Sequence, residues 1–114
     1  MARYVLVTMT SPKEGCDAEY NDWYSNRHMV DLLNQDGLVS AQRFRFVFVE
    51  GRQTPTPKYL ALYEVETDDL QKTQANLAKA LGTDEMPVSP ALDRNSAVSW
   101  FFEAITERRI RSAE

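Results

Sequence analysis

A chain of 114 residues has the length of one domain, and its 43% hydrophobic and 11% aromatic content supplies a packed core, which excludes a disordered chain. Its net charge of −4 and pI near 5.0 give no broad attraction for a polyanion, so no nucleic acid is expected as a partner. The single cysteine, Cys16, excludes an internal disulfide. The absence of a long apolar stretch leads to the expectation of no membrane association and a cytoplasmic location.

The elements follow in chain order. Residues 3–10, RYVLVTMT, are rich in β-branched and aromatic types and predict a first strand. Ser11, Pro12 and Gly15 break it, and Asp17 caps a helix over about residues 18–33 that stops before Gly37. A long second strand is expected over 39–50. The Thr54-Pro55-Thr56-Pro57 loop and a third strand over 58–66 come next. Thr67, Asp68 and Asp69 start a second helix that places Leu70, Leu77 and Leu81 on one face and stops at Gly82. A loop with Pro87 and Pro90 leads to a last strand over 96–106, and residues 107–114 form a C-terminal tail. The basic Arg108, Arg109 and Arg111 of that tail read as a solvated terminus.

Strand, helix, strand, strand, helix, strand is the split βαβ order. It predicts one α+β domain over 1–114, ferredoxin-like βαββαβ, with a four-stranded antiparallel sheet and both helices on one face. Alternation along each strand then divides the side chains. Tyr4 and Leu6 oppose Val5, Val7 and Met9, while Phe44, Phe46 and Phe48 oppose Val39, Ala41, Val47 and Val49. Tyr59, Ala61, Tyr63 and Val65 oppose Leu60 and Leu62, and Phe101 and Ile105 oppose Val98, Trp100 and Phe102. Both faces are apolar, and two helices cover one. A bare face of on the order of several hundred Å² exceeds what soluble monomers carry, so a homodimer is expected.

The first helix carries the chemistry. At 100° per residue, Tyr20, Tyr24, Arg27 and Asp31 share a stripe, with Trp23 and His28 on its shoulders. Aromatic walls with a few convergent polar groups are what a pocket for a small organic molecule needs. His28, the only histidine, is the natural general acid or base, with Asp31 fixing its tautomer and Tyr24 supporting it. The bland alternative is a helix-packing histidine beside a surface Arg27–Asp31 pair. Arg43 and Arg45 are expected to pair with carboxylates across the dimer, with Glu64 and Glu103 as candidate partners, the alternative being an anionic ligand. No glycine-rich phosphate loop, zinc spacing or nucleophile elbow occurs, so an enzyme here is expected to work without cofactor or metal.

The run from Tyr20 through Trp23, His28 and Asp31 to Leu33, followed by Gly37 and the strand to Phe44, resembles the dimeric α/β-barrel superfamily, and within it the EthD-like group. The segment from Tyr59 to Val65 is similar to that family's third strand. The resemblance implies sheets packed into a dimeric barrel and a pocket between sheet and helices lined by His28. The reading that follows is a cofactor-independent isomerase, lyase or dehydratase acting on a small apolar or aromatic carbonyl-bearing metabolite. His28, Asp31 and Tyr24 are the expected catalytic residues, and Tyr20, Trp23, Arg27, Phe44, Phe46 and Tyr63 are expected to bind the substrate. A non-catalytic small-molecule binder or accessory protein of a catabolic pathway is the first alternative, and a cofactor-free monooxygenase the second.

Overall fold

In the computed structural model, which describes residues 2–112, the chain runs β1 (Ala2–Pro12), α1 (Asp17–Trp23), a π-helical turn (Tyr24–His28), α2 (Met29–Leu33), β2 (Leu38–Arg45), β3 (Tyr59–Thr67), α3 (Leu70–Ala80) and β4 (Leu92–Glu103). The four strands form one antiparallel sheet in the order β2-β3-β1-β4. The fold is the expected α+β, ferredoxin-like one. α1, the π turn and α2 are continuous and form the first helical layer, and α3 forms the second.

Cross-strand register fixes the two faces. Leu6 pairs with Tyr63 on one side and Phe101 on the other, and Ala41 pairs with Tyr63 in turn. This row points at the helices. The core is the set Leu6, Ala61, Tyr63 and Val65 from the sheet with Tyr20, Tyr24, Leu32 and Leu77 from the helices, all buried. The opposite face carries the rows Val7–Leu62–Trp100 and Met9–Leu60–Phe44–Val98, with no helix over it. Phe44, Val98, Trp100 and Phe102 are each 39–53% exposed there.

Local chemistry accounts for the element ends. Asp69 caps α3, its carboxylate accepting from the Lys72 N–H at 3.0 Å. Gly37 turns the chain from α2 into β2 at φ +92°, and its carbonyl accepts from the Glu66 N–H at 2.8 Å. A Cβ at that position would meet the Thr73 side chain at 3.4 Å, so both the conformation and the space favour glycine.

Two strand boundaries depart most from expectation, while β1 runs on to Pro12 and β4 ends at Glu103 rather than 106. β2 stops at Arg45 rather than at residue 50, because β3 begins opposite it at Tyr59. Beyond that pair, the Phe46 N–H still reaches Lys58 O at 2.8 Å, and the prolines at 55 and 57 have no N–H to extend the ladder. Val47, Phe48 and Val49 are consequently exposed. β4 begins at Leu92 rather than 96, since β1 resumes pairing past an irregularity between Met9 and Ser11, matching Ser11 with Asp93 and Pro12 with Leu92.

Candidate functional site

The first helical layer does not keep a 3.6-residue period. Its buried positions are Tyr20, Tyr24, His28 and Leu32, spaced by four. Four-residue steps drift around a regular α-helix, and the π turn absorbs that drift. The Met29 N–H donates to Tyr24 O, five residues back, which keeps His28 under the sheet-facing side. Arg27 and Asp31, which an unbroken α-helix would align with Tyr20 and Tyr24, lie to the side of that buried row and pair with each other.

His28 sits against a cavity of about 410 Å³ bounded by the sheet, both helical layers and the loop between α3 and β4. Trp23, Tyr24, Leu77, Met86 and Leu92 give it apolar walls, and Thr8, Thr10, Gln74, Ser99 and Arg94 give it polar ones. The loop is held down from the first helix. Trp23 Nε1 donates to Pro87 O at 3.0 Å, and Arg27 donates to Asp84 O at 3.0 Å.

The imidazole is 8% exposed, stacked on Trp23 at 4.6 Å and edge-on to Tyr24 at 4.9 Å. Its Nδ1 is buried and has no hydrogen-bond partner among the described residues. Its pKa is lowered to about 4, chiefly by burial; the charge of Asp31 opposes the shift and that of Arg43 adds to it. At neutral pH the ring is therefore uncharged.

Tyr24 and Tyr63 share a hydroxyl–hydroxyl bond of 3.0 Å beneath the helix. Burial pushes the Tyr24 phenol up to about 12 and that of Tyr63 upward as well, so both remain neutral donors. Tyr20 bonds to the Thr10 hydroxyl, and burial raises its pKa too. Tyr63→Phe would leave the Tyr24 hydroxyl buried without its partner. We expect urea denaturation to show a loss of about 1–3 kcal/mol.

Within the protomer, Arg43 pairs with no carboxylate among the described residues. Its guanidinium lies over Tyr24 at 4.4 Å, with Tyr20 and Tyr59 at 5.4 and 5.5 Å, and donates to Ser25 Oγ and Asn21 Oδ1 at 2.7 and 3.0 Å. On the edge strand this cation grips the first helix by aromatic faces and two hydrogen bonds. The expected partner Glu64 instead accepts from Ser40 Oγ at 2.9 Å.

The structure therefore brings Trp23, Tyr24 and His28 to one cavity, with Tyr20 and Tyr63 packed behind them. Asp31 does not bond to the imidazole. Its carboxylate, 12% exposed, accepts from the half-exposed Arg27 Nε at 2.7 Å, and it reaches His28 through space alone. Arg27 lies outside the cavity wall for the same reason. Phe44 stands on the opposite sheet face, opposite Leu60, because alternation sets it against Arg43. Phe46 follows the end of β2 and is not part of the cavity wall. Met86, Leu92 and Arg94 line the cavity from a loop and a strand start that carry no motif. Thr8 and Thr10 were legible from the alternation that put Leu6 inward.

The sequence matches no described family model. Over 71 residues it is 42% identical to Core atranone cluster (CAC) protein 1 of Stachybotrys chlorohalonatus. That match takes in 60% of this chain and 27% of the relative, so the chain spans about a quarter of the length of the curated relative it matches. Among solved structures, an EthD-like protein of Ralstonia eutropha superposes with a TM-score of 0.64 at 14% identity, over 95% of this chain and 96% of that one. The heme-degrader MhuD of Mycobacterium tuberculosis gives 0.60 at 19% identity, over 93% and 99%. A dimeric ferredoxin-like protein of unknown function from Thermobifida fusca gives 0.55 at 9% identity, over 90% and 92%. The chain shares the ferredoxin-like fold of these solved structures, an EthD-like protein among them.

Proposed function

We propose that the chain is a small-molecule enzyme that works as a homodimer, sheet against sheet, with His28 as the group that handles the proton. The observation that carries this reading is a buried imidazole without a hydrogen-bond partner on the wall of a largely apolar cavity of about 410 Å³. A buried polar atom left unpaired is costly in a purely structural role, and a ligand hydroxyl or enol would satisfy it.

The chemistry follows from the ring's state. A neutral imidazole with a pKa near 4 removes a proton from an already acidic position, such as a phenol or a carbon between carbonyls, and returns it elsewhere. Such proton movement suits an isomerase, lyase or dehydratase step on an apolar or aromatic carbonyl compound. Trp23 and Tyr24 hold the ring by stacking and edge contact, and Asp31 favours its protonated form through space. The curated relative is named for the core atranone cluster, which supports a secondary metabolite as the substrate.

The rival is a non-catalytic binder, and the same low basicity favours it. His28→Gln separates the two when turnover of a panel of aromatic and polycyclic ketones is followed by mass spectrometry. The enzyme reading expects a fall of roughly 10²–10⁴-fold with ligand affinity retained. Binding without turnover by the unaltered protein would establish the binder instead.

A further inference from the structure

We propose that the ligand of this cavity carries a carboxylate, seated by Arg94; this rests on the reading of the His28 cavity as a small-molecule site. Arg94, near the start of β4, lines that cavity and also a second hollow of about 450 Å³ that includes Lys13, Ser89 and Asn95. Val88 and Leu92 are shared by the two as well, so Arg94 stands where they adjoin.

Its charge is uncommitted. The ion pairs among the described residues are Arg3–Glu107 and Arg27–Asp31, and neither Arg94 nor Lys13 takes part in one. The carboxylate beside it, Asp93, accepts the N–H of Asn95 at 3.1 Å within its own turn. A guanidinium offers a planar pair of donors that matches a carboxylate, and an apolar wall beside it strengthens the contact.

The rest of the wall agrees. Leu77, Met86 and Leu92 would hold an apolar body, and the neutral His28 would accept from a hydroxyl on it. The ligand class is then an aromatic or polycyclic acid that carries a hydroxyl or enol.

Calorimetric titration with 2-naphthoic acid and its neutral analogue methyl 2-naphthoate, at pH 7, tests this. The unaltered protein should bind the acid about tenfold more tightly than the ester. Arg94→Gln should abolish that preference and leave ester binding unchanged. Raising salt from about 0.05 M to about 0.5 M should weaken binding of the acid and spare the ester. Equal binding of acid and ester, or a preference that survives Arg94→Gln, would overturn the carboxylate while leaving the cavity reading intact. Failure of both probes to bind would overturn both.

Discussion

If the protein is the proposed sheet-to-sheet dimer, Trp100→Glu combined with Val7→Glu should leave a monomer of the 13.1 kDa chain mass in sedimentation velocity, against twice that mass for the unaltered protein. The two side chains are cross-strand neighbours at the middle of the uncovered sheet face. Around them stand Leu62, Met9, Leu60, Phe44 and Phe102, an unbroken apolar surface of a kind that soluble monomers rarely expose. A pair of carboxylates there would meet its two-fold mate across the interface, where desolvated like charges cost several kcal/mol. Trp100 is about half exposed in the protomer, so the change should spare the protomer's own fold. A mass equal to one chain for the unaltered protein would remove the sheet-to-sheet dimer.

The second large effect is a loss of stability in acid. An unfolded histidine binds its proton near pH 6.5, whereas His28 in the folded chain binds it only near 4. Between those values the unfolded state holds more protons. Stability is thus complete above about pH 6.5 and declines as the pH falls toward 4, by on the order of 3 kcal/mol. Urea midpoints measured across that range should fall steeply for the unaltered protein. They should be flatter for His28→Gln, which has no proton to take up. The same slope in both would mean that the burial of His28 is not what sets the acid limit.

Much of this was legible in the chain, and the exceptions have physical causes. The element order follows from caps and breakers, and the inward row of Leu6, Tyr63 and Phe101 and the apolar outer face follow from alternation, which depends only on the geometry of a strand. The end of β2 was not legible. Residues 46–50 continue an apolar strand pattern, and only the position of Tyr59 and the two prolines decides that pairing ends at Arg45. His28 and Tyr24 were found because an imidazole among aromatic side chains is informative in any helical register.

The π turn defeated the finer reading. Plotting the helix at 100° per residue aligned Arg27 and Asp31 with the tyrosines, whereas the inserted residue swings His28 and Leu32 inward and leaves the ion pair to the side of that row. The contact of Arg43 with the aromatic faces of the first helix is not legible from strand alternation, which gives its side of the sheet but not its partners. Phe44 was assigned to the pocket although its own alternation with Arg43 sets it on the other side. Arg94 and Met86 come from a loop and a strand start, where local pattern holds no information about which cavity a side chain will line.

The central claim is that the imidazole of His28 is buried, neutral and available to a ligand. Because the chain holds one histidine, its ring gives a single set of imidazole resonances, and their NMR titration reads this state directly. The account predicts a ring that stays neutral down to about pH 4 and whose resonances shift when a cavity ligand such as 2-naphthoic acid is added. A midpoint near 6.5 together with no response to ligand would contradict it.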